Sequence, residues 1–206
     1  MEKVPEIDSR LDEITPIVKR CIKSLNRHFK RISHNTVKKD TSFLFHFYRE
    51  KYLHYILYKR LEKNLPSFII DFEYRTDILF RRNKNNVQSK EDTGHYDIVI
   101  LDKEQNKIII GIEIYLGYEH NNKHFSYNRF REHLEIDFNK LNDSPKVLKG
   151  VILNFFYHGK IDRSTPSNLR KKQMAYDRDI QKANNEIERL KLHAPKKMCI
   201  LMFTGK

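Results

Sequence analysis

At 206 residues, 39% of them apolar, the chain is long enough for one domain with a real core and too short to suggest several. Forty Lys and Arg against 27 Asp and Glu leave a net charge of +13, which points to a polyanionic partner, nucleic acid before membrane surface; a Lys- and Asn-rich coding bias gives the same balance. The longest apolar run, Ile108–Leu116, is too short to cross a bilayer and the charged N-terminus has no apolar signal region, so a cytoplasmic protein without a membrane span is expected.

The first element is an amphipathic helix over residues 6–32, where Ile7, Leu11, Ile14, Val18, Cys21, Leu25, Phe29 and Ile32 recur three and four apart. Pro16 is expected to interrupt it and to open a second helix after Thr15. The outer face carries Lys19, Arg20, Lys23, Arg27, Lys30 and Arg31, which is either a solvated face or a nucleic-acid contact. Residues 1–40 thus read as a helical segment packed on a main domain over 41–206. Cys21 and Cys199 stand alone and fit reduced thiols. Asp40-Thr41-Ser42 offers N-caps for an aromatic helix from Phe43 to about Leu65, stopped by Pro66. On that helix Phe43, Phe47, Glu50, His54, Leu57 and Leu61 share a stripe within about 80° of arc. Glu50 therefore points inward, where a carboxylate needs a partner: the acids of the hairpin below, or His54 one turn on.

Ser67–Tyr74 alternates Phe68, Ile70, Phe72 and Tyr74 with Ile69, Asp71 and Glu73, the period of a half-buried strand. Arg75 to Thr93 reads as a long polar loop in which Arg75, Arg81, Arg82, Lys84 and Lys90 are candidate nucleic-acid contacts. Tyr96–Leu101 and Lys107–Leu116 then form an antiparallel hairpin around the polar Asp102–Asn106. Phe130, Leu134, Phe138 and Leu141 mark a helix over 127–142. Val147–Tyr157 alternates little and reads as a central strand covered on both faces. Ser164-Thr165-Pro166 opens a polar helix to about Leu192, with a thin seam at Leu169, Tyr176, Ile180, Ala183, Ile187 and Leu190, and Lys197–Thr204 is a last strand. The class is α/β, a mixed and mostly antiparallel central sheet flanked by helices.

Asp97 opens the first hairpin strand and Glu113 interrupts the second, both among isoleucines and valines, where an unpaired carboxylate is expensive to bury. A divalent cation shared between them would compensate, and oxygen ligands suit a hard ion such as Mg²⁺. Other motifs are weaker. His120 and His124 lie beside Glu119 without the H-E-x-x-H pattern, so surface histidines are a simpler reading than a zinc site. Gly111, Gly117 and Gly150 fall in strands, where close packing or a bend accounts for them.

The order helix, three strands, helix, strand, helix, strand, with Glu50 on the first of these helices, then Asp97, fifteen intervening residues and Glu113-Ile114-Tyr115, resembles the PD-(D/E)XK nuclease superfamily over about residues 41–157. The resemblance implies a restriction-endonuclease-like fold with an α-β-β-β-α-β core. It also implies a DNA endonuclease similar to restriction enzymes or Holliday-junction resolvases, dependent on Mg²⁺ or Mn²⁺. Asp97, Glu113 and the Ile114 carbonyl would bind the metal, with Glu50 completing the shell or holding a water. Where the family has its motif Lys this chain has Tyr115, a neutral donor at pH 7. Three readings are open. Lys123, His124 or Arg129 supplies a cation in its place; Tyr115 serves with the metal alone; or the domain is a non-catalytic nucleic-acid-binding or assembly subunit. Arg129 is also a candidate nucleic-acid contact. DNA is the favoured partner, with a homodimer or a place in a larger nucleoprotein complex left open.

Overall fold

The β-branched runs pair into one five-stranded sheet whose strands lie side by side in chain order. They are β1 (Ile69–Leu79), β2 (Thr93–Asp102), β3 (Lys107–Gly117), β4 (Val147–Phe156) and β5 (Met198–Thr204). The structure, a computed structural model, describes residues 5–36, 50–79, 93–102, 107–117, 125–156 and 167–205. β1, β2 and β3 are antiparallel neighbours, whereas β4 runs parallel to β3 and β5 parallel to β4. The sheet is therefore half parallel, not mostly antiparallel as its sequence suggests. The cause is the pair of helical crossovers: α3 (Tyr127–Asp143) carries the chain from β3 to β4 and α4 (Ser167–His193) from β4 to β5. Connections of that length return a strand in the same direction.

Each face of the sheet bears two helices. On one, α1 (Pro5–Thr36) and α2 (Glu50–Asn64) bury residues such as Leu25, Phe29, Leu57 and Leu61 against Ile98, Ile100, Ile112 and Ile114. On the other, α3 and α4 bury Phe130, Leu134, Tyr176 and Ile187 against Val99, Ile108, Ile152 and Ile200. Covered on both sides, β4 is buried from Gly150 to Phe156, apolar there but for Asn154.

α1 runs unbroken through Pro16 instead of restarting there. Pro16 cannot donate to the Asp12 carbonyl, but both residues are exposed, so water can satisfy that oxygen. Burial of Ile14 on one side of the proline and of Val18, Cys21, Ile22, Leu25 and Phe29 on the other outweighs a cost of about 3 kcal/mol. The Arg10 guanidinium fastens the start of the helix to Asp102 at the end of β2, 2.7 Å away. Phe43 and Phe47 lie outside the described residues; from Glu50 onward the aromatic helix matches its sequence pattern, and it ends at Asn64 before Pro66.

Two local features set the geometry between β2, β3 and the helices. Gly111 and Gly150 are register partners beneath α3. A Cβ on Gly111 would come within 2.7 Å of Leu141 Cδ2, and one on Gly150 within 2.8 Å of Leu141 Cβ. Their bareness lets α3 settle onto the sheet and sets the height of Lys140, the neighbour of Leu141. The second feature is a break in alternation. Phe72 packs towards His54 and Tyr58 of α2, and Ile98 belongs to the same side, yet Tyr74 and Tyr96 belong to the α3–α4 side. Residues two apart on a regular strand share a face. The switch falls at Glu73, whose φ of 55° is left-handed, and at Asp97, the position opposite it between the pairs Phe72–Ile98 and Tyr74–Tyr96.

Candidate functional site

The pairing of β2 with β3 ends at Ile98 and Ile112, and beyond that point the two strands part. The edge of β3 is left with N–H groups that a neighbouring strand no longer accepts, and an unmet backbone donor is costly. Carboxylates take them. The Ile114 N–H donates to Asp97 Oδ2 at 2.6 Å, and the Leu116 N–H donates to Glu50 Oε2 at 3.1 Å. The Ile114 carbonyl, on the same side of the strand as its N–H, faces the same split. The switch in β2 thus turns Asp97 sideways into the gap, while the first turn of α2 delivers Glu50 into it from above. Glu50 is not paired with His54. That imidazole, 2% exposed, brings Nε2 to 3.5 Å from Asp97 Oδ2, and neither ring nitrogen has an aligned hydrogen-bond partner.

Glu113 points to the opposite face and is 2% exposed. Among the described residues the cation that answers it is Lys140 of α3, whose Nζ lies 2.7 Å from Glu113 Oε1 and 3.2 Å from Asp137 Oδ1 and donates to the His95 carbonyl at 2.9 Å. The ammonium also sits 5.9 Å from the Tyr96 ring centre. Its approach to Oε1 is off the hydrogen-bond direction, so that oxygen gains charge contact without an aligned donor. Lys140 thus occupies the region beside the motif acids. Lys123 and His124, proposed from sequence for that role, lie outside the described residues, as do His120, Arg81, Arg82, Lys84 and Lys90.

Three carboxylates, Glu113, Asp137 and Asp97, act on the ammonium of Lys140. Burial raises Glu113 well above its ordinary range, and the negative charges of Asp137 and Asp97 add to it. Burial likewise pushes Asp97 up to about 8, against the opposing pull of the Ile114 N–H. Glu50 is raised by burial, partly offset by the Leu116 N–H. Burial works to discharge Lys140, but Glu113 and Asp137 together outweigh it and hold the ammonium above its usual value. Burial takes His54 down to about 4, so it is a neutral imidazole at pH 7. Asp97 therefore keeps its proton at pH 7.

Among the described residues no group of three or more His, Cys, Asp or Glu side chains is placed to hold a metal ion. The oxygen donors nearby are of the kind a hard cation takes: Asp97, Glu113 and the Ile114 carbonyl, with Glu50 on the β3 edge and the buried His54 beside Asp97. Closing that set around an ion requires Glu113 to exchange part of its contact with Lys140.

Tyr115 does not enter the split. It points to the face of α3 and packs on the rings of Phe130, His133 and Phe156 at 5.1, 6.1 and 6.2 Å. Burial raises its phenol, with Arg129 acting weakly the other way, so it is a neutral packing group at any working pH. Tyr115→Phe is expected to leave thermal stability and any metal-dependent activity almost unchanged. Tyr115→Lys is expected to lower both, because it places an ammonium in an aromatic cluster; the buried-charge penalty is several kcal/mol before relaxation. Unfolding curves of the two variants check this, and a gain with Lys would mean the cation position is vacant. Arg75 lies in β1 opposite His95, not in a loop, and Arg129 opens α3, its N–H donating to the Ser126 cap.

Sequence reasoning passed over Lys140, Asp137 and Asn154. Asn154 is the register partner of Tyr115, fully buried, and donates to the Leu201 carbonyl while its Oδ1 has no partner. A signal for Asp137 existed: at 100° per residue it falls about 20° from Phe130, at the edge of the apolar stripe of α3. The open groove of 480 Å³ between α3 and α4, with Phe138 and Leu190 in its wall, is elsewhere and rimmed by the internally paired Arg189 and Glu186. No described helix is long and apolar enough to cross a membrane. No family model, curated protein or solved structure matches the chain.

Proposed function

We propose that this protein is a metal-dependent nuclease of the PD-(D/E)XK kind, with a restriction-endonuclease-like fold, hydrolysing phosphodiester bonds in DNA. The observation that carries the reading is the split between β2 and β3. There Asp97 takes the Ile114 N–H at the edge of β3, and on the other face of that strand Glu113 pairs with a buried ammonium, Lys140, while Tyr115 packs among aromatic rings. Asp97, Glu113 and the carbonyl would hold Mg²⁺ or Mn²⁺, with Glu50 fixing the β3 edge or a ligand water. Such an ion lowers the pKa of a bound water and polarises the scissile phosphate. Lys140 contributes what an ammonium can: hydrogen bonds that orient the attacking water and charge that offsets the developing oxyanion. His54, neutral at pH 7 and beside Asp97, offers an imidazole nitrogen, a donor that favours Mn²⁺ over Mg²⁺.

A second reading has its own support. Lys140 already neutralises Glu113, and among the described residues no ready three-ligand cluster exists, which suits a domain that binds nucleic acid without cutting it. Cleavage of linear and branched duplex DNA with Mn²⁺, by the wild type and by Glu113→Gln, separates the two. Cutting by the wild type alone supports the nuclease. Binding without cutting by either protein supports the binding subunit. Equal cutting by both would remove Glu113 from the chemistry.

A further inference from the structure

The outer face of α1 is charged in a way that α4 is not. Residues 14–36 contain no Asp or Glu, and Lys19, Arg20, Lys23, Arg27, Lys30 and Arg31 are all exposed. At 100° and 1.5 Å per residue these six cations fall within about 120° of arc along about 18 Å of axis. Among the described residues no carboxylate pairs with any of them. On α4, by contrast, three cations are tied to acids one turn away, Lys182 to Asp179 at 3.1 Å, Arg189 to Glu186 at 2.6 Å and Lys191 to Glu188 at 2.7 Å. On α1 no acid lies within the row, and its like charges repel one another.

The row also leads somewhere. Arg10 ties the start of α1 to Asp102, the end of β2 away from the split. Towards its other end, Phe29 meets Phe155 edge to face at 5.0 Å, and Phe155 is the register partner of Leu116, whose N–H is held by Glu50. His28, between Arg27 and Lys30, lies 6.0 Å ring to ring from Tyr52, midway between Glu50 and His54. The cations therefore approach the end of the sheet that holds the acids. Burial lowers His28, and the charges of Arg60 on α2 and of Arg31 lower it further.

We infer that the α1 face is a docking rail for the phosphate backbone of duplex DNA, which it binds without regard to sequence and aligns with the split. A lipid surface fits less well, because the apolar stripe that would enter a bilayer, Ile14, Val18, Leu25 and Phe29, is already sealed in the core. The inference rests on the nucleic-acid reading of the site but not on catalysis there.

The test is duplex binding by the full chain in EDTA, followed by fluorescence anisotropy over a series of NaCl concentrations. Lys19→Gln/Lys23→Gln/Arg27→Gln/Lys30→Gln is expected to flatten the plot of log K against log salt by up to about 0.9 per lost phosphate contact, and to weaken binding about tenfold or more at moderate salt. Lys23→Glu alone, an exposed change of little consequence for folding, is expected to lower the slope by about 1. Lys171→Gln/Lys182→Gln/Arg189→Gln/Lys191→Gln on α4 should leave the slope unchanged. Unchanged slopes for the α1 variants, or equal losses for the α4 variant, overturn the rail. So does a loss confined to phosphatidylserine vesicles, with duplex binding intact. Cleavage with Mn²⁺ is read in parallel. A flattened slope without cleavage by any protein sinks the nuclease alone, and unaltered slopes with cleavage retained sink the rail alone.

Discussion

Lys140→Met is expected to remove metal-dependent cleavage, by about 10²–10³-fold or more, and to destabilise the fold by about 3 kcal/mol at pH 8. The first loss follows from the ammonium being the described cation nearest the motif acids, 2.7 Å from Glu113. The second follows from burial: Glu113 is 2% exposed, and a carboxylate so placed without its partner must either stay charged at great cost or take up a proton. Protonation limits the damage, so the cost should shrink as pH falls. Urea unfolding at two pH values measures this. The double variant Lys140→Met/Glu113→Gln should recover most of the stability and none of the cleavage, since replacing both members of a buried pair costs far less than removing one. If the single variant keeps its activity, the ammonium is a structural counter-ion only.

Raising the pH should weaken the metal-free protein, the reverse of what ordinary surface carboxylates do. Asp97 ionises at about 8 in the fold against an ordinary 3.8, so over that interval the native state holds a proton that the unfolded chain has released. Stability is fully present below the lower value and is lost as pH rises to the upper one. His54 runs the other way, from 6.5 down to about 4, and loses stability as pH falls through that window. Between pH 4 and 6.5 the two oppose each other. From pH 6.5 to 8 Asp97 acts without that opposition, Glu113 being raised in the same direction, and one proton is worth about 2 kcal/mol over that span. Asp97→Asn should flatten the decline. Saturating Mg²⁺ should offset it at pH 8 and do little at pH 6.5, where protons hold the site. Melting curves along that series decide it; a metal-free protein whose melting temperature rises with pH would contradict the electrostatics.

What sequence reveals of this protein is what short-range periodicity encodes. The hairpin and the seam of α4 come from β-rich runs around a turn and from a 3.6-residue repeat, β4 from an apolar run with little alternation, and each lies where its pattern puts it. Glu50 stands out for the same reason, as a carboxylate on an apolar stripe. Pro16 misleads because a local rule about helix donors is overridden by burial on both sides of it, which no local window registers. The balance of parallel and antiparallel pairing depends on where α3 and α4 return the chain, and strand composition does not record that. Lys140 is harder still. It lies 27 residues after Glu113, on the shoulder of its helix, and reaches the acids because bare Gly111 and Gly150 let Leu141 close on the sheet. Its partner Asp137 is visible at the edge of the stripe of α3, and a carboxylate there with a lysine three residues on is the available clue. The sideways turn of Asp97 depends on a left-handed residue, Glu73, on another strand.

The most direct measurement is Mn²⁺ binding itself, read from the electron paramagnetic resonance of the free ion at pH 8 in the wild type, Asp97→Asn, Glu113→Gln and His54→Ala. One site is expected in the wild type, with an affinity at least about tenfold lower in each carboxylate variant, and a weaker grip in His54→Ala that is more marked for Mn²⁺ than for competing Mg²⁺. No binding by the wild type, or equal binding by all four proteins, would contradict the claim that the split between β2 and β3 is a metal site.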